Sequence, residues 1–276
     1  MVNPEDRMTE ILRSDPSKPI NLQADEDRLF IRSAARALHV LSAFHHASGP
    51  LSLSEIAALA EIGRSAAQRL VHTLMTLGYI RRSSDDRGYL PGLRLLDHTL
   101  DVLRLDPVVQ KATPVLLELR KNIRERVDFS LFDETRLIYA LRMQSKRETF
   151  YATLVGHSVP TFCTAGGRAV LAKLPDAEAR EIILRTPMHQ YTAMTLTDPG
   201  SVMAQVKVAR TDGFAVVVDE FVQGEVAVGV AITGRDGRPL AAIHVAGSLA
   251  EWTPQDFISQ ASPMAMEAAR AIMGGL

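Results

Sequence analysis

Residues 51–90 read LSLSEIAALAEIGRSAAQRLVHTLMTLGYIRRSSDDRGYL, and this stretch decides the fold of the amino-terminal part. Ser52 with Glu55 three residues later is a capping box, in which hydroxyl and carboxylate each take one amide that a helix start leaves without a partner. It predicts a helix through about Ala60. Glu61, Ile62 and Gly63 make a short turn. A further helix follows from 64 or 65 to 77, with Ala67, Leu70, Val71, Leu74 and Leu77 at the spacing of a buried face. Gly78 ends it. Residues 79–82 and 88–90 then flank the polar turn 83–87 and read as the two strands of a β-ribbon. Upstream, Ala34, Leu38, Leu41 and Phe44 keep helical spacing from Phe30 until Ser48, Gly49 and Pro50 break it. Three helices and a ribbon make a winged helix-turn-helix.

Working outward, the acidic first 27 residues hold three prolines and little periodicity, so they read as a mobile arm with one short helix at 6–13. An amphipathic linker helix is expected over 93–105, with Asp106 and Pro107 at its end. Beyond it the pattern alternates. Helices are expected at 108–122 and 165–173. Two more, capped by Asp176 and by Asp198 with Pro199, end near 184 and 212, and a last one starts at Thr253 and Pro254. Strands are expected at 127–132, 137–143, 150–154, 214–218, 226–233 and 240–246, with Asp236 and Gly237 turning between the last two. The fold class is therefore α+β, with helices on a mostly antiparallel sheet. The domains are an arm (1–27), a winged helix-turn-helix (28–92), a linker helix (93–106) and a larger domain (107–276).

Charge separates these regions. The whole chain of 276 residues is nearly neutral at −1, which taken alone argues against a polyanion as partner. Yet residues 28–96 carry nine arginines, no lysine and four acids, a net of +5. The arm is −4 and the rest −2. The basic charge is thus concentrated on the winged module. Arginine is the commonest specific reader of guanine, and a helix entering the major groove needs such side chains in its first turns. Arg64, Gln68 and His72 share one face of the third helix, with Ser65, Arg69 and Thr73 beside them. Arg81, Arg82 and Arg87 on the ribbon would hold phosphates. The plain alternative is a solvated polar face.

A single cysteine, Cys163, forms no internal disulfide and builds no cysteine-rich zinc site. No apolar run reaches membrane-spanning length and no secretory signal is evident, so a cytoplasmic protein with no membrane partner is expected. Cys163 six residues after His157 raises a nucleophile reading of the acyl-transfer kind, but no third orienting residue is evident, and a small buried hydrophobe is the simpler role. No metal-ligand pairing, Walker loop or dinucleotide fingerprint is present, so no metal, cofactor or enzymatic activity is expected. His45 and His46 beside a loop read as facing solvent.

The run 51–96 resembles the DNA-binding domain of the IclR family of bacterial regulators. The carboxyl half is similar too, in Gly156 through Pro160 with Thr164-Ala165-Gly166-Gly167-Arg168, and in Gly213-Phe214-Ala215 through Asp219-Glu220 and Gly224. The resemblance covers the chain from about residue 30. It implies a GAF-like effector-binding domain, a homodimer or tetramer on double-stranded operator DNA, and control of a catabolic operon by a small-molecule effector. It also implies that the amides of Ala165 and Gly166 help hold an organic acid, and that Val217, Ala227, His244 and Ala246 stand where the family has an aspartate, a cysteine and two serines. That change makes the facing wall apolar and suggests an aromatic acid, with His244 able to donate to it. Two alternatives stay open: His244 is a satisfied core residue, and the glycines serve only close packing of helix on sheet. A ligand-binding or protein-interaction module without a DNA role is the competing class.

Overall fold

The computed structural model describes residues 28–144 and 155–276. The arm with its expected helix, and the expected strand at 150–154, lie outside these. The chain divides into two compact units between Val102 and Leu103, inside the helix expected to link the domains.

In the first unit, α1 (Arg32–Ser42) tightens into a 3-10 turn, Ala43–His46, before the Ser48–Pro50 break. Its buried residues are Ala35, Val40 and Ala43, while Leu38 is 58% exposed, so the helix is rotated from the expected Ala34–Leu38 stripe. The capping box forms as read: Glu55 N donates to Ser52 Oγ (3.2 Å) and Ser52 N to Glu55 Oε2 (2.7 Å), opening α2 (Leu53–Leu59). Glu61, at φ +52°, turns the chain into α3 (Arg64–Thr76). Val71 and Leu74 of α3 meet Val40, Ile56 and Ile80 in one core, and Ala67 is buried on the same helix. Leu77, expected in that face, is instead the C-cap and half exposed, because Gly78 at φ +81° has already turned the chain away. Strands β1 (Ile80–Arg82) and β2 (Tyr89–Pro91) pair antiparallel. A Cβ on Gly92 would lie 2.1 Å from Gly78 O, so the foot of the ribbon closes only with glycine there. Helix α4 (Arg94–Leu105) follows and buries none of its residues.

In the second unit, Asp106 caps α5 (Pro107–Ile123) through the amides of Val108 and Val109. The sheet comprises β3 (Arg126–Asp133), β4 (Arg136–Met143), β5 (Ser158–Pro160), β6 (Ala215–Val218), β7 (Glu225–Thr233) and β8 (Pro239–Ser248). Its order is β5-β4-β3-β8-β7-β6, antiparallel throughout. Strand alternation assigns the two faces. Val228, Val230 and Ile232 of β7, with Ile243 and Val245 of β8, pack in one core with Leu116 of α5 and Phe257 and Ala265 of α9 (Pro254–Gly274). The intervening residues, Ala227, Gly229 and Ala231, face α6 (Ala165–Leu171) and its neighbours. Those neighbours are α7 (Asp176–Arg185) and α8 (Pro199–Asp212). Asp198 caps α8 as expected. Asp176 does not cap α7: Pro175 takes that position, and the Asp176 carboxylate pairs with Arg210. Strand β5 was not foreseen, since three residues ending in proline carry no alternation to read.

Candidate functional site

On the first unit, Arg64, Ser65, Gln68, Arg69 and His72 of α3 are all exposed, as are Arg81, Arg82 and Arg87 of the ribbon. Gln68, Arg69, His72 and Met75 form one side of an open groove of about 370 Å³ whose other side is Arg82 and Tyr89. The structure therefore brings Gln68, Arg69 and His72 of the helix together with Arg82 of the wing, while Arg64, Ser65, Arg81 and Arg87 do not line this groove. It also shows what the sequence reading missed. Arg82 donates to Asp86 (2.6 Å) and stacks on Tyr89, and Arg87 lies 3.2 Å from Asp85. Solvent screens such exposed pairs, so phosphate can replace the carboxylates. Arg64, Arg69 and Arg81 pair with no carboxylate of the described residues.

On the second unit, Ala165, Val217, Ala227, His244 and Ala246 line a single void. Pairing explains the convergence: Val217 lies opposite Ala227, Ala227 opposite Ala246, and Ala246 opposite Arg126 across four strands. Small side chains in mid-sheet leave the space. Gly166 is not among the lining residues. A Cβ there would lie 2.2 Å from the His244 ring, and one on Gly229 would lie 2.2 Å from Ala165 C, so both glycines permit close packing of helix on sheet. Thr164 Oγ1 accepts the Gly167 amide (3.2 Å) and so uses one of the amides at the start of α6.

The wall opposite α6 is not apolar throughout. Beside Val217, Ala227 and Ala246 the lining includes the charged residues Arg126, Asp128, Glu220 and Glu225, together with Tyr139 and Phe221. Arg126 Nε donates to Asp128 (3.0 Å) and its Nη2 to Glu225 (2.8 Å). Arg142 donates to both oxygens of Asp128 (3.2 Å to Oδ1 and 3.1 Å to Oδ2) and covers the Tyr139 ring at 4.0 Å. Arg168 grips Glu220 with two parallel bonds of 2.6 Å. Three guanidinium groups thus face three carboxylates. The sequence did hold a signal: Arg126 and Asp128 alternate with Val127 and Phe129, placing charge at period two on a buried strand. Glu225, the further partner of Arg126, lies too far along the chain for any local pattern to show it.

His244 Nε2 is 2.8 Å from Ser130 Oγ and its ring lies against Tyr139 at 5.4 Å, so it is a satisfied core residue that also borders the void. Burial lowers its pKa from the ordinary 6.5 to about 4. Between those values the unfolded chain binds a proton that the folded one refuses, so this contribution is present above about pH 6.5 and is lost as pH falls toward 4. Its size is about 3 kcal/mol. Urea unfolding across this range should show that decline, and a His244→Gln variant should flatten it.

Cys163 is fully buried, which pushes its thiol well above the usual range. A thiol held protonated is a poor nucleophile, which speaks against the acyl-transfer reading. Among the described residues no His, Cys, Asp and Glu cluster could hold a metal, and no helix is long and apolar enough to cross a membrane.

An arginine-bearing helix beside a wing, followed by a sheet domain with a charged internal pocket, defines a two-part regulator. Comparison with known proteins agrees. The family profile for the IclR helix-turn-helix domain matches residues 33–84, and that for the bacterial transcriptional regulator IclR C-terminal domain matches residues 100–273. The chain belongs to the IclR family of DNA-binding transcription regulators, whose carboxyl-terminal domain binds ligand. It is 31% identical over 244 residues to the Pca regulon regulatory protein of Pseudomonas putida, covering 87% of this chain and 82% of that protein. The crystal structure of Thermotoga maritima IclR superposes with a TM-score of 0.67 at 26% identity, over 89% of this chain and 98% of that one. An IclR homologue from Microbacterium hydrocarbonoxydans, crystallised with 4-hydroxybenzoate, shares the fold with a TM-score of 0.70 at 21% identity, over 88% and 98%.

Proposed function

We propose that residues 107–276 bind a small aromatic acid and that its binding changes how residues 28–92 hold operator DNA, with the helix over 93–106 between them. The observation that carries the ligand reading is the partly buried Arg126 beside a void floored by Val217, Ala227 and Ala246. An arginine meets a carboxylate in a fork, the small apolar residues accept a ring, and Tyr139 and Phe221 add aromatic faces. The 4-hydroxybenzoate bound by the Microbacterium homologue supports this class. Arg64, Ser65, Gln68, Arg69 and His72 read bases while Arg81, Arg82 and Arg87 hold phosphates, from two copies of the chain on a two-fold-related operator in the cytoplasm. The protein is a regulator without catalytic activity.

A thermal-shift panel tests the ligand class. Benzoate and hydroxybenzoates are expected to raise the unfolding midpoint in proportion to the logarithm of their concentration. Stabilisation by short aliphatic oxoacids alone would overturn the aromatic reading.

A further inference from the structure

The pocket leaves little room for any acid as it stands. Its void is about 20 Å³, the space of about one water, whereas small-molecule sites span about 300–1,000 Å³. Some of the lining has to leave. Its electrostatics are equally full: Arg126, Arg142 and Arg168 are matched by Asp128, Glu220 and Glu225, so an added carboxylate would be a buried charge without a counterpart. An anionic ligand enters at low cost only if one internal carboxylate gives way.

The three carboxylates are not equally held. The Asp128 side chain is 1% exposed and lies between two arginines. Glu220 is bound by both Arg168 nitrogens and by the Leu196 amide (3.1 Å). Glu225 bonds Arg126 alone, its side chain is 16% exposed, and it is the first residue of β7, next to exposed Gly224 at φ +79°. Burial also raises its pKa, because the charged form loses hydration there. Arg126 Nη1 donates to no group of the described residues, which leaves that edge of the guanidinium open.

We infer that Glu225 is a built-in occupant of the effector-carboxylate position, displaced toward the rim when a ligand's carboxylate takes its place on Arg126. This rests on the proposed acid-binding role of the pocket and names the contact that selects the acid. The exchange swaps one carboxylate for another, so the pocket's charge balance is kept and the space vacated by Glu225 adds to the void. Glu225 thereby sets a threshold: only an acid whose remaining contacts outweigh this internal competitor is bound.

The test is isothermal titration of the full chain with benzoate, adipate and pyruvate, each beside its uncharged amide. Wild type, Glu225→Gln and Arg126→Met are compared. Glu225→Gln keeps the side chain's shape and removes its charge, so it is expected to bind the preferred acid at least about tenfold more tightly, with the amide unchanged. Arg126→Met is expected to erase the preference for acid over amide. If wild type binds an acid and Glu225→Gln binds it no better, the inference fails while the acid-binding reading stands. If no acid binds wild type or Glu225→Gln, both of which show cooperative unfolding, the two fall together.

Discussion

Replacing Arg168 with alanine should destabilise the second unit by about 3–5 kcal/mol, the largest stability effect expected from one side chain in this protein. Arg168 is 1% exposed. Its Nη1 and Nη2 bond the two oxygens of Glu220, and its Nε bonds the Phe162 carbonyl at 2.8 Å. Truncation leaves a buried carboxylate with only the Leu196 amide to hold it, and it opens a cavity beside Phe162 and Cys163. It also loosens the segment that Glu220 anchors, since the Glu220 carbonyl accepts from Thr195 Oγ1 at 2.6 Å. For a unit of this size the thermal midpoint should fall by roughly 6–20 °C. The double variant Arg168→Met with Glu220→Leu should recover much of that, because apolar groups of similar volume satisfy themselves where a lone charge does not. Equal loss in the double variant would mean that packing, not the unpaired carboxylate, is the source.

The second large effect concerns DNA. Two copies that each place Arg81, Arg82 and Arg87 on phosphates would make about six contacts, so operator affinity should drop by about 10³ between 50 and 200 mM salt. Arg69→Ala should weaken operator binding by about 1–3 kcal/mol for each copy and relax discrimination at one base pair of each half-site. Arg81→Ala removes one phosphate contact from each of the two copies, so it should weaken all sequences alike and reduce the salt slope by about two. Arg81 is the clearest phosphate probe, because Arg82 and Arg87 each release a carboxylate of the same turn before they bind. Electrophoretic or fluorescence titrations at several salt concentrations measure each term. A shallow slope in a folded protein would favour a protein partner for this surface.

How much of this was legible in the sequence follows from the range of each interaction. Helices announced themselves through caps and period: Ser52 with Glu55, Asp198 with Pro199, and Thr253 with Pro254 all act within a few residues. The rotation of α1 was not legible. Val40 and Leu38 are both apolar, and only packing of α1 within the three-helix core decides that Val40 is buried and Leu38 exposed. The pocket shows the same limit more sharply. Ala165, Val217, Ala227, His244 and Ala246 were placed in one site through resemblance, and the structure brings them together. Arg126 and Glu225 are 99 residues apart, and no local rule joins them. Reading Val217, Ala227 and Ala246 as an apolar wall followed from considering those positions without β3 beside them.

The measurement closest to the central claim is the operator dissociation constant at fixed salt, with and without a saturating concentration of whichever acid stabilises the protein. A bound carboxylate can shift operator affinity only by its preference between the two arrangements of the chain, and such couplings typically amount to a factor of about 5–150. A shift of that order in wild type, absent in Arg126→Met, is the predicted result. Identical operator affinities with the acid bound and absent would contradict the account.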